Sequence, residues 1–233
     1  MRLFCFPYAG GGASAYRAWG DDLPQEVEVC PVQLPGRESR LRETPFTGIA
    51  PLINALAQAL VPYLDLPFAL FGHSMGAVIS YETAHRLQQE RGLHPVQLLV
   101  SARRAPQVPP TEEPFHRLPD AEFRQKLRNL NGTPKSILED AELMRLLLPL
   151  LRADFELNDT YVPSASFMLE CPITVYGGLA DALARRQHLE AWREVTHASF
   201  LLRIFPGGHF FFLQESRQSF IRAIAEDLLR FLH

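Results

Sequence analysis

Short apolar segments alternate with longer amphipathic segments along most of the chain, and this alternation limits the possible folds more than any other feature. The short segments are apolar at nearly every position, as expected for strands that are covered on both faces. They predict six strands, at residues 3–6, 27–32, 68–71, 98–101, 173–176 and 200–205. Strands separated by helices favour a parallel sheet flanked by helices, which is an α/β fold.

The longer segments have the periodicity of helices, and they predict helices at residues 49–64, 77–91, 184–195 and 214–232. Apolar residues recur every three or four positions in the first of them, so one face of that helix is apolar. This face is formed by Ile49, Leu52, Ile53, Leu56, Leu60 and Leu64. A chain of 233 residues suits a single domain of this class, so we predict one domain over residues 1–233.

One segment interrupts the alternation. About seventy residues without a strand pattern separate the fourth predicted strand from the fifth, whereas a connection in an α/β fold usually takes about 2 to 6 residues. Residues 120–130 and 139–157 within this segment have helical patterns. We therefore predict that residues 105–165 form a helical lid inserted into the domain.

The second lid helix contains six consecutive apolar residues at positions 146–151. One of them, Pro149, should kink the helix because proline lacks the amide hydrogen and clashes with the preceding turn. An apolar helix of this kind either shelters an apolar substrate or only docks the lid onto the main domain. Docking alone is the commoner reason for a helix that is apolar on every side.

Composition excludes several classes of protein. No segment approaches the roughly 18 to 20 apolar residues of a membrane helix, and Pro7 ends the first apolar run before it reaches the ~7 to 15 residues of a signal peptide. A net charge of −3 creates no strong field for nucleic acid. Cys5, Cys30 and Cys171 follow no disulfide or zinc pattern. We expect a cytoplasmic protein with reduced thiols and without a nucleic-acid or membrane partner.

The sequence Gly72-His73-Ser74-Met75-Gly76 lies between the third predicted strand and a predicted helix. A Gly-x-Ser-x-Gly pattern at such a turn is typical of a nucleophile elbow, in which the glycines permit a sharp bend that exposes the serine hydroxyl. The alternative is an ordinary glycine-rich turn with a helix-capping serine. The strand before the pattern and the helix after it favour the elbow.

A serine nucleophile needs a base and a carboxylate that orients the base. Because the carboxyl ends of parallel strands meet at one edge of a sheet, residues that follow different strands converge there. Asp181 follows the fifth predicted strand, and His209 follows the sixth. The order Ser74, Asp181, His209 is the order found in α/β-hydrolases. We therefore predict an α/β-hydrolase fold with these three residues as the catalytic triad.

Other residues compete for these roles. The remaining candidate histidines lie at the wrong strand edge, inside helices, within the elbow or at the last position: His197, His188, His85, His73 and His233. Asp181 has the alternative role of capping the helix predicted near Ala184. In that case Asp154 or Asp159 would have to supply the carboxylate from the lid.

An oxyanion formed by attack on a carbonyl also needs two hydrogen-bond donors. In this fold one is the amide of the residue after the nucleophile, here Met75, and the other comes from the loop after the first strand. Ala9 is the preferred candidate in that loop and Gly10 the second. Glycines 10–12 have alternative roles as a flexible loop or a phosphate cradle, but the Lys-Ser/Thr of a nucleotide-binding loop does not follow them. The chain also lacks paired metal-ligand motifs, so we predict no cofactor and no metal.

Four motifs in order resemble those of the type II thioesterases that accompany nonribosomal peptide and polyketide synthases. They are FPYAGG at 6–11, QLPGRE at 33–38, FGHSMG at 71–76 and FPGGHFF at 205–211. The resemblance covers nearly the whole chain, including the lid, and implies hydrolysis of aberrant or stalled acyl groups from the phosphopantetheine arm of carrier proteins, without a cofactor. One departure is that Ala182 replaces the proline that usually follows the aspartate in this family.

Two further features bear on function. Arg103 and Arg104 follow the fourth predicted strand at the active-site edge, where they would meet either the pantetheine phosphate or an acidic helix of the carrier; exposed arginines are otherwise usually only solvated. The alternatives to the type II activity are an acyl-CoA or small-ester hydrolase, a chain-releasing cyclase, and a non-catalytic protein that docks carriers. A non-catalytic docking protein would not need a serine, an aspartate and a histidine at strand ends that converge.

Overall fold

Six parallel strands form one central sheet in the computed structural model, which describes residues 1–110, 113–163, 168–214 and 216–231. The strand order across the sheet is β2-β1-β3-β4-β5-β6, and every neighbouring pair is parallel. The strands are β1 (Arg2–Phe6), β2 (Glu28–Pro31), β3 (Phe68–His73), β4 (Gln97–Ser101), β5 (Ile173–Gly178) and β6 (Phe200–Phe205). The structure confirms all six predicted strands, with small differences at their ends.

Eight α-helices are present in the described residues. They are α1 (Trp19–Asp22), α2 (Ile49–Leu60), α3 (Met75–Arg91), α4 (Asp120–Leu130), α5 (Lys135–Glu139), α6 (Ala141–Asp159), α7 (Arg186–Glu190) and α8 (Arg217–Leu229). The predicted helix 184–195 is a short α-helix followed by a 3₁₀ turn, and residues 215 and 232 of the predicted helix 214–232 lie outside the described residues. None of the helices in the described part of the chain is long and apolar enough to cross a membrane.

The core lies on both faces of the sheet. On one face α2 buries the stripe predicted from its periodicity, including Leu52 and Leu56, against α3 and the strands. On the other face aromatic residues predominate, among them Trp19, Phe212 and Phe220. Strands β3, β4 and β5 are buried at every position. Their carboxyl ends therefore have a rigid base, which suits a site that needs accurate geometry.

Helices α4, α5 and α6 lie between β4 and β5, where the sequence predicts an inserted helical segment. This helical segment has its own small apolar cluster, which includes Phe123, Met144 and Phe155. The apolar run 146–151 is not buried on every side, because Leu146 is 56% exposed while Leu151 is buried. Helix α6 continues through Pro149. Residues 111–112 and 164–165 of the predicted lid lie outside the described residues.

A buried ion pair joins the helical segment to the loop after β2, and both of its members also bind the loop after β1. The two terminal nitrogens of Arg37 donate to the two carboxylate oxygens of Asp154 on α6, at 2.9 and 2.8 Å. The Gly10 amide donates to the same carboxylate at 2.7 Å, and Arg37 also donates to the Gly11 carbonyl at 3.0 Å. Asp154 is thus fully engaged, so the alternative in which it serves as the triad carboxylate is wrong.

Candidate active site

Ser74 lies at a sharp turn between β3 and α3. Its backbone has φ +54° and ψ −112°, a conformation that costs a non-glycine residue of order 1–3 kcal/mol and persists only where the surroundings enforce it. Its amide donates to the carbonyl of Ser101 at the end of β4, at 2.8 Å. The adjacent strand therefore holds the turn in place, and the predicted nucleophile elbow is present.

Two glycines make this turn possible. A Cβ atom on Gly72 would lie 1.9 Å from the carbonyl oxygen of Gly76, and one on Gly76 would lie 2.3 Å from the carbonyl oxygen of Phe6. Both contacts are with backbone atoms, which cannot turn away as a side chain can. Close packing of the backbone at the elbow therefore requires glycine at both positions, 72 and 76.

The structure brings together the three residues that the sequence predicts as a triad. The Nε2 atom of His209 lies 3.0 Å from the Ser74 Oγ, and the Nδ1 atom lies 2.9 Å from the Asp181 Oδ2. A carboxylate only accepts hydrogen bonds, so it favours the tautomer in which Nδ1 carries the proton. Nε2 is then free to accept the proton of the serine hydroxyl.

Asp181 is 5% exposed and uses both carboxylate oxygens. While Oδ2 faces His209, Oδ1 accepts hydrogen bonds from the amides of Leu183 at 2.9 Å and Ala184 at 3.3 Å. The capping alternative is therefore only partly right: the carboxylate binds amides in the following turn, but α7 begins later and has Arg185 at its N-cap. These two amides fix the orientation of the Asp181 carboxylate. Ala182, which replaces the proline usual in the family, is the residue directly after it.

No other histidine in the described part of the chain bonds to Ser74. His73 is buried beneath the elbow, with Nδ1 3.0 Å from the Ser101 Oγ and its ring 5.2 Å from that of His209. Burial lowers the pKa of His73 well below its usual range, and the nearby His209 lowers it further. A neutral ring at this position does not oppose a positive charge on His209. His188 is buried elsewhere, and His233 lies outside the described residues.

Asp159, the remaining alternative carboxylate, is also engaged away from His209. It accepts hydrogen bonds from the amide and, at Nδ1, from the ring of His116, both at 3.0 Å. With Asp154 paired to Arg37, neither lid carboxylate replaces Asp181.

Ala9 and Met75, whose amides the sequence predicts as oxyanion donors, both line the cavity of Ser74. Met75 is the first residue of α3, where helix geometry leaves amides without intrahelical acceptors. Ala9 lines the same cavity as Ser74, Met75 and His209. The alternative donor, Gly10, is occupied because its amide binds Asp154. The geometry therefore favours Ala9 over Gly10.

The cavity above Ser74 has two chemically different walls. The apolar wall comes mainly from the helical segment and includes Phe115, Leu127, Leu130 and Phe155. The polar wall includes Arg103, Arg104, Glu113, Asn158 and Asp159. No group of three or more potential metal ligands occurs within the part of the chain that the structure describes.

The position of Arg103 differs from the sequence prediction. Its side chain is 7% exposed and lies in the cavity wall, so a carrier helix on the surface does not meet it. Its Nη1 atom donates to Asn158 Oδ1 at 2.8 Å, and burial lowers the pKa of the guanidinium. Arg104 is half-buried and donates to the Val108 carbonyl at 3.0 Å.

Sequence reasoning missed the residues that support the site from the helical segment. Asn158 was not considered, and Arg37 was noted only as part of a motif. A signal for Asp154 was available, because an acidic residue between Ala153 and Phe155 on a buried helix face requires a partner. Its partner, however, lies 117 residues away in the sequence and only the fold identifies it.

The fold and the site together define a class of protein. A serine at a strand-to-helix turn of a parallel sheet, with an imidazole and a carboxylate from the ends of later strands, is the arrangement of an α/β-hydrolase. The chain belongs to the thioesterase family, because the thioesterase domain matches residues 1–228. It is therefore a thioester hydrolase.

Several similar proteins come from the biosynthesis of gramicidin S, prodiginine and yersiniabactin. The chain is 48% identical to the gramicidin S biosynthesis protein GrsT of Aneurinibacillus migulanus, over 98% of this chain and 89% of GrsT. RedJ, a thioesterase of the prodiginine pathway in Streptomyces coelicolor, is 42% identical with a TM-score of 0.91, over 97% of this chain and 89% of RedJ. A serine-to-alanine mutant of YbtT, a type II thioesterase of the yersiniabactin pathway, is 33% identical with a TM-score of 0.86, over 97% and 91%. The resemblance to type II thioesterases is confirmed.

Gly76→Ala should disable the elbow. The added Cβ would lie 2.3 Å from the Phe6 carbonyl oxygen, so α3 must shift away from β1, at a cost of about 1 to 3 kcal/mol or more. We expect a lower melting temperature and at least a hundredfold loss of thioester hydrolysis, because a shift of about 1 Å at a reacting group costs that much.

Gly20→Ala is the matched control, because nothing lies within 4 Å of a Cβ at this position. Thermal unfolding and the release of thiol from a small thioester measure both effects. Normal activity of the Gly76 variant would contradict the requirement for close packing at this position.

Proposed function

We propose that this chain hydrolyses aberrant or stalled acyl and aminoacyl groups from the phosphopantetheine arm of carrier proteins in a nonribosomal peptide or polyketide pathway. The observation that carries the proposal is the hydrogen-bonded series Ser74, His209 and Asp181, of which Ser74 and His209 line a cavity. The pathways in which GrsT, RedJ and YbtT occur support the class of substrate.

The proposed reaction has two steps. Ser74 Oγ attacks the thioester carbonyl while His209 takes its proton at Nε2 and Asp181 holds the imidazole. The amides of Met75 and Ala9 stabilise the oxyanion. Collapse breaks the carbon–sulfur bond, and the thiol leaves with the proton from His209. A water molecule, activated by the same imidazole, then attacks the acyl-serine and releases the acid.

The helical segment at 105–165 acts in this proposal as a lid on a single domain that spans residues 1–233. The cavity supports this role, since Phe115, Leu127 and Phe155 of the segment form its apolar wall. The sequence leaves two roles open for the lid, which are shelter of an apolar substrate and docking onto the main domain. In this proposal the lid has both roles. Leu151 contributes to docking, because it packs against Gly10 in the loop after β1.

Intact-protein mass spectrometry of a carrier that bears a phosphopantetheine acyl group tests the proposal. Incubation with this protein should remove the acyl mass, and incubation with Ser74→Ala should not. Loss of the acyl group with both proteins, or with neither, would refute it. Faster hydrolysis of the same acyl group on free coenzyme A would instead favour the acyl-CoA hydrolase, and binding without loss of mass would favour a docking protein.

A further inference from the structure

Arg103 occupies a defined position in the wall of the cavity that Ser74 also lines. Arg103 comes two residues after Ser101, the last residue of β4. Ser101 pairs with His73 of β3, and His73 directly precedes Ser74. Its backbone carbonyl accepts a hydrogen bond from the Trp192 indole at 2.8 Å. The guanidinium donates to Asn158 Oδ1 at 2.8 Å. Both ends of the residue are therefore fixed, and the side chain lies in the cavity wall.

This guanidinium has no carboxylate partner among residues 1–110, 113–163, 168–214 and 216–231. Two other arginines show the usual arrangement: Arg37 pairs with Asp154 at 2.8 Å, and Arg203 pairs with Asp227 at 2.6 Å. Of the two acidic residues on the same wall, Asp159 binds His116 instead, and Glu113 is exposed and makes no ion pair with Arg103. Transfer of an uncompensated cation from water into a protein is costly.

Arg104 lies on the same wall, together with the carboxylates of Asp159 and Glu113. The wall therefore contains charges of both signs, but among the described residues the Arg103 guanidinium bonds only to the neutral side chain of Asn158. Charge-assisted hydrogen bonds to an oxygen acceptor would compensate the buried cation and are roughly twice as strong as neutral ones.

We propose that Arg103, oriented by Asn158, forms a subsite that binds a carbonyl or carboxylate oxygen lying a few bonds from the thioester carbon. The inference rests on the proposed hydrolysis at Ser74 and specifies its substrate. The oxygen belongs either to the acyl group, as in a 3-oxoacyl or malonyl-type chain, or to the first amide of the pantetheine arm. The pantetheine phosphate is at the far end of that arm, whereas Arg103 lines the same cavity as Ser74.

Asn158→Asp is the sharpest test, because it replaces the amide nitrogen by oxygen and sets a carboxylate against the guanidinium without changing shape. Arg103→Met removes the cation and keeps an unbranched chain. Two substrate pairs distinguish the sources of the oxygen. The first compares 3-oxobutanoyl and butanoyl thioesters of N-acetylcysteamine; the second compares butanoyl thioesters of N-acetylcysteamine and of pentanethiol.

In one of these pairs, the preference of the wild type for the oxygen-containing substrate should fall by about 10- to 100-fold in both variants. Because each variant is compared with the wild type on the same pair, the intrinsic reactivities of the thioesters cancel. A fall in the first pair identifies the acyl oxygen, and a fall in the second identifies the pantetheine amide. Unchanged preferences in both pairs would overturn the subsite.

Thermal unfolding supplies a second readout that requires no turnover. Both variants relieve an unpaired buried cation, so we expect the melting temperature to rise by about 3 °C. If Arg103 instead stabilised the fold, its replacement would lower the melting temperature. A lower melting temperature in both variants therefore overturns the proposal. Arg203→Met is the control: it breaks a pair with the buried Asp227 and should lower the melting temperature without altering acyl preference. Absence of Ser74-dependent hydrolysis by the wild type would refute the proposed function instead.

Discussion

Ser74→Ala should lower kcat/KM for an acylated carrier by roughly 10⁵- to 10⁶-fold, as expected when the nucleophile of a catalytic triad is removed. The imidazole of His209 then has no hydroxyl to activate, and no acyl-enzyme forms. The fold should persist, since the alanine can keep the amide hydrogen bond to the Ser101 carbonyl. We expect a melting temperature within a few degrees of wild type.

Ser80→Ala is the matched control for this variant. Ser80 is also a buried serine of the elbow region, in α3, but its hydroxyl donates to the Ala77 carbonyl at 3.0 Å and does not line the cavity. It should lose some stability and retain full activity. A Ser74→Ala rate within tenfold of wild type would show that another group attacks the thioester.

Asp181→Asn should lower kcat by roughly 10⁴-fold, the loss seen when a triad carboxylate becomes an amide. The structure explains the expected effect. The amides of Leu183 and Ala184 donate to one side-chain oxygen, so the asparagine oxygen must occupy that position and its NH₂ group must face His209. The histidine then accepts at Nδ1 and carries its proton on Nε2, which cannot take a proton from Ser74.

The control for Asp181→Asn is Asp227→Asn, which removes another fully buried carboxylate. Asp227 binds Arg203 and the Tyr176 hydroxyl, at 2.6 and 2.8 Å, and does not line the cavity. It should lower the free energy of unfolding by about 3 to 5 kcal/mol, as expected for a broken buried pair, and leave kcat of the folded enzyme near wild type. The opposite outcome, a kcat loss in the control and none in Asp181→Asn, would exclude Asp181 as the orienting group.

Much of the fold was predictable because its signals are local. Runs such as Leu98–Leu99–Val100 are apolar on both faces, and only a strand between two layers of helices satisfies them. The elbow was predictable for a similar reason, since two glycines flanking a serine between a strand and a helix meet a steric requirement within five residues. The places of Asp181 and His209 in the site could be predicted from the parallel sheet, because the carboxyl ends of parallel strands lie at the same edge.

The contacts that the sequence did not reveal are tertiary. Asp154 looked like a possible substitute for Asp181, yet it binds Arg37 and the Gly10 amide. Arg103 looked like a residue that meets the pantetheine phosphate or an acidic carrier helix, yet it lies in the cavity wall beside Asn158. In each case one of the two side chains belongs to the helical segment and the other does not, and the orientation of that segment depends on packing rather than on a repeating pattern.

The sequence by itself determined the parallel sheet, the elbow and the chain order of Ser74, Asp181 and His209. Strand patterns and turn conformations depend on residues that are neighbours in the chain, so the sequence shows them directly. Only the tertiary structure decided which charges are paired, that Asp154 occupies the Gly10 amide and how the cavity divides into an apolar and a polar wall. These properties depend on side chains that meet from distant parts of the chain, and distance in space, not spacing in sequence, sets the strength of their interactions.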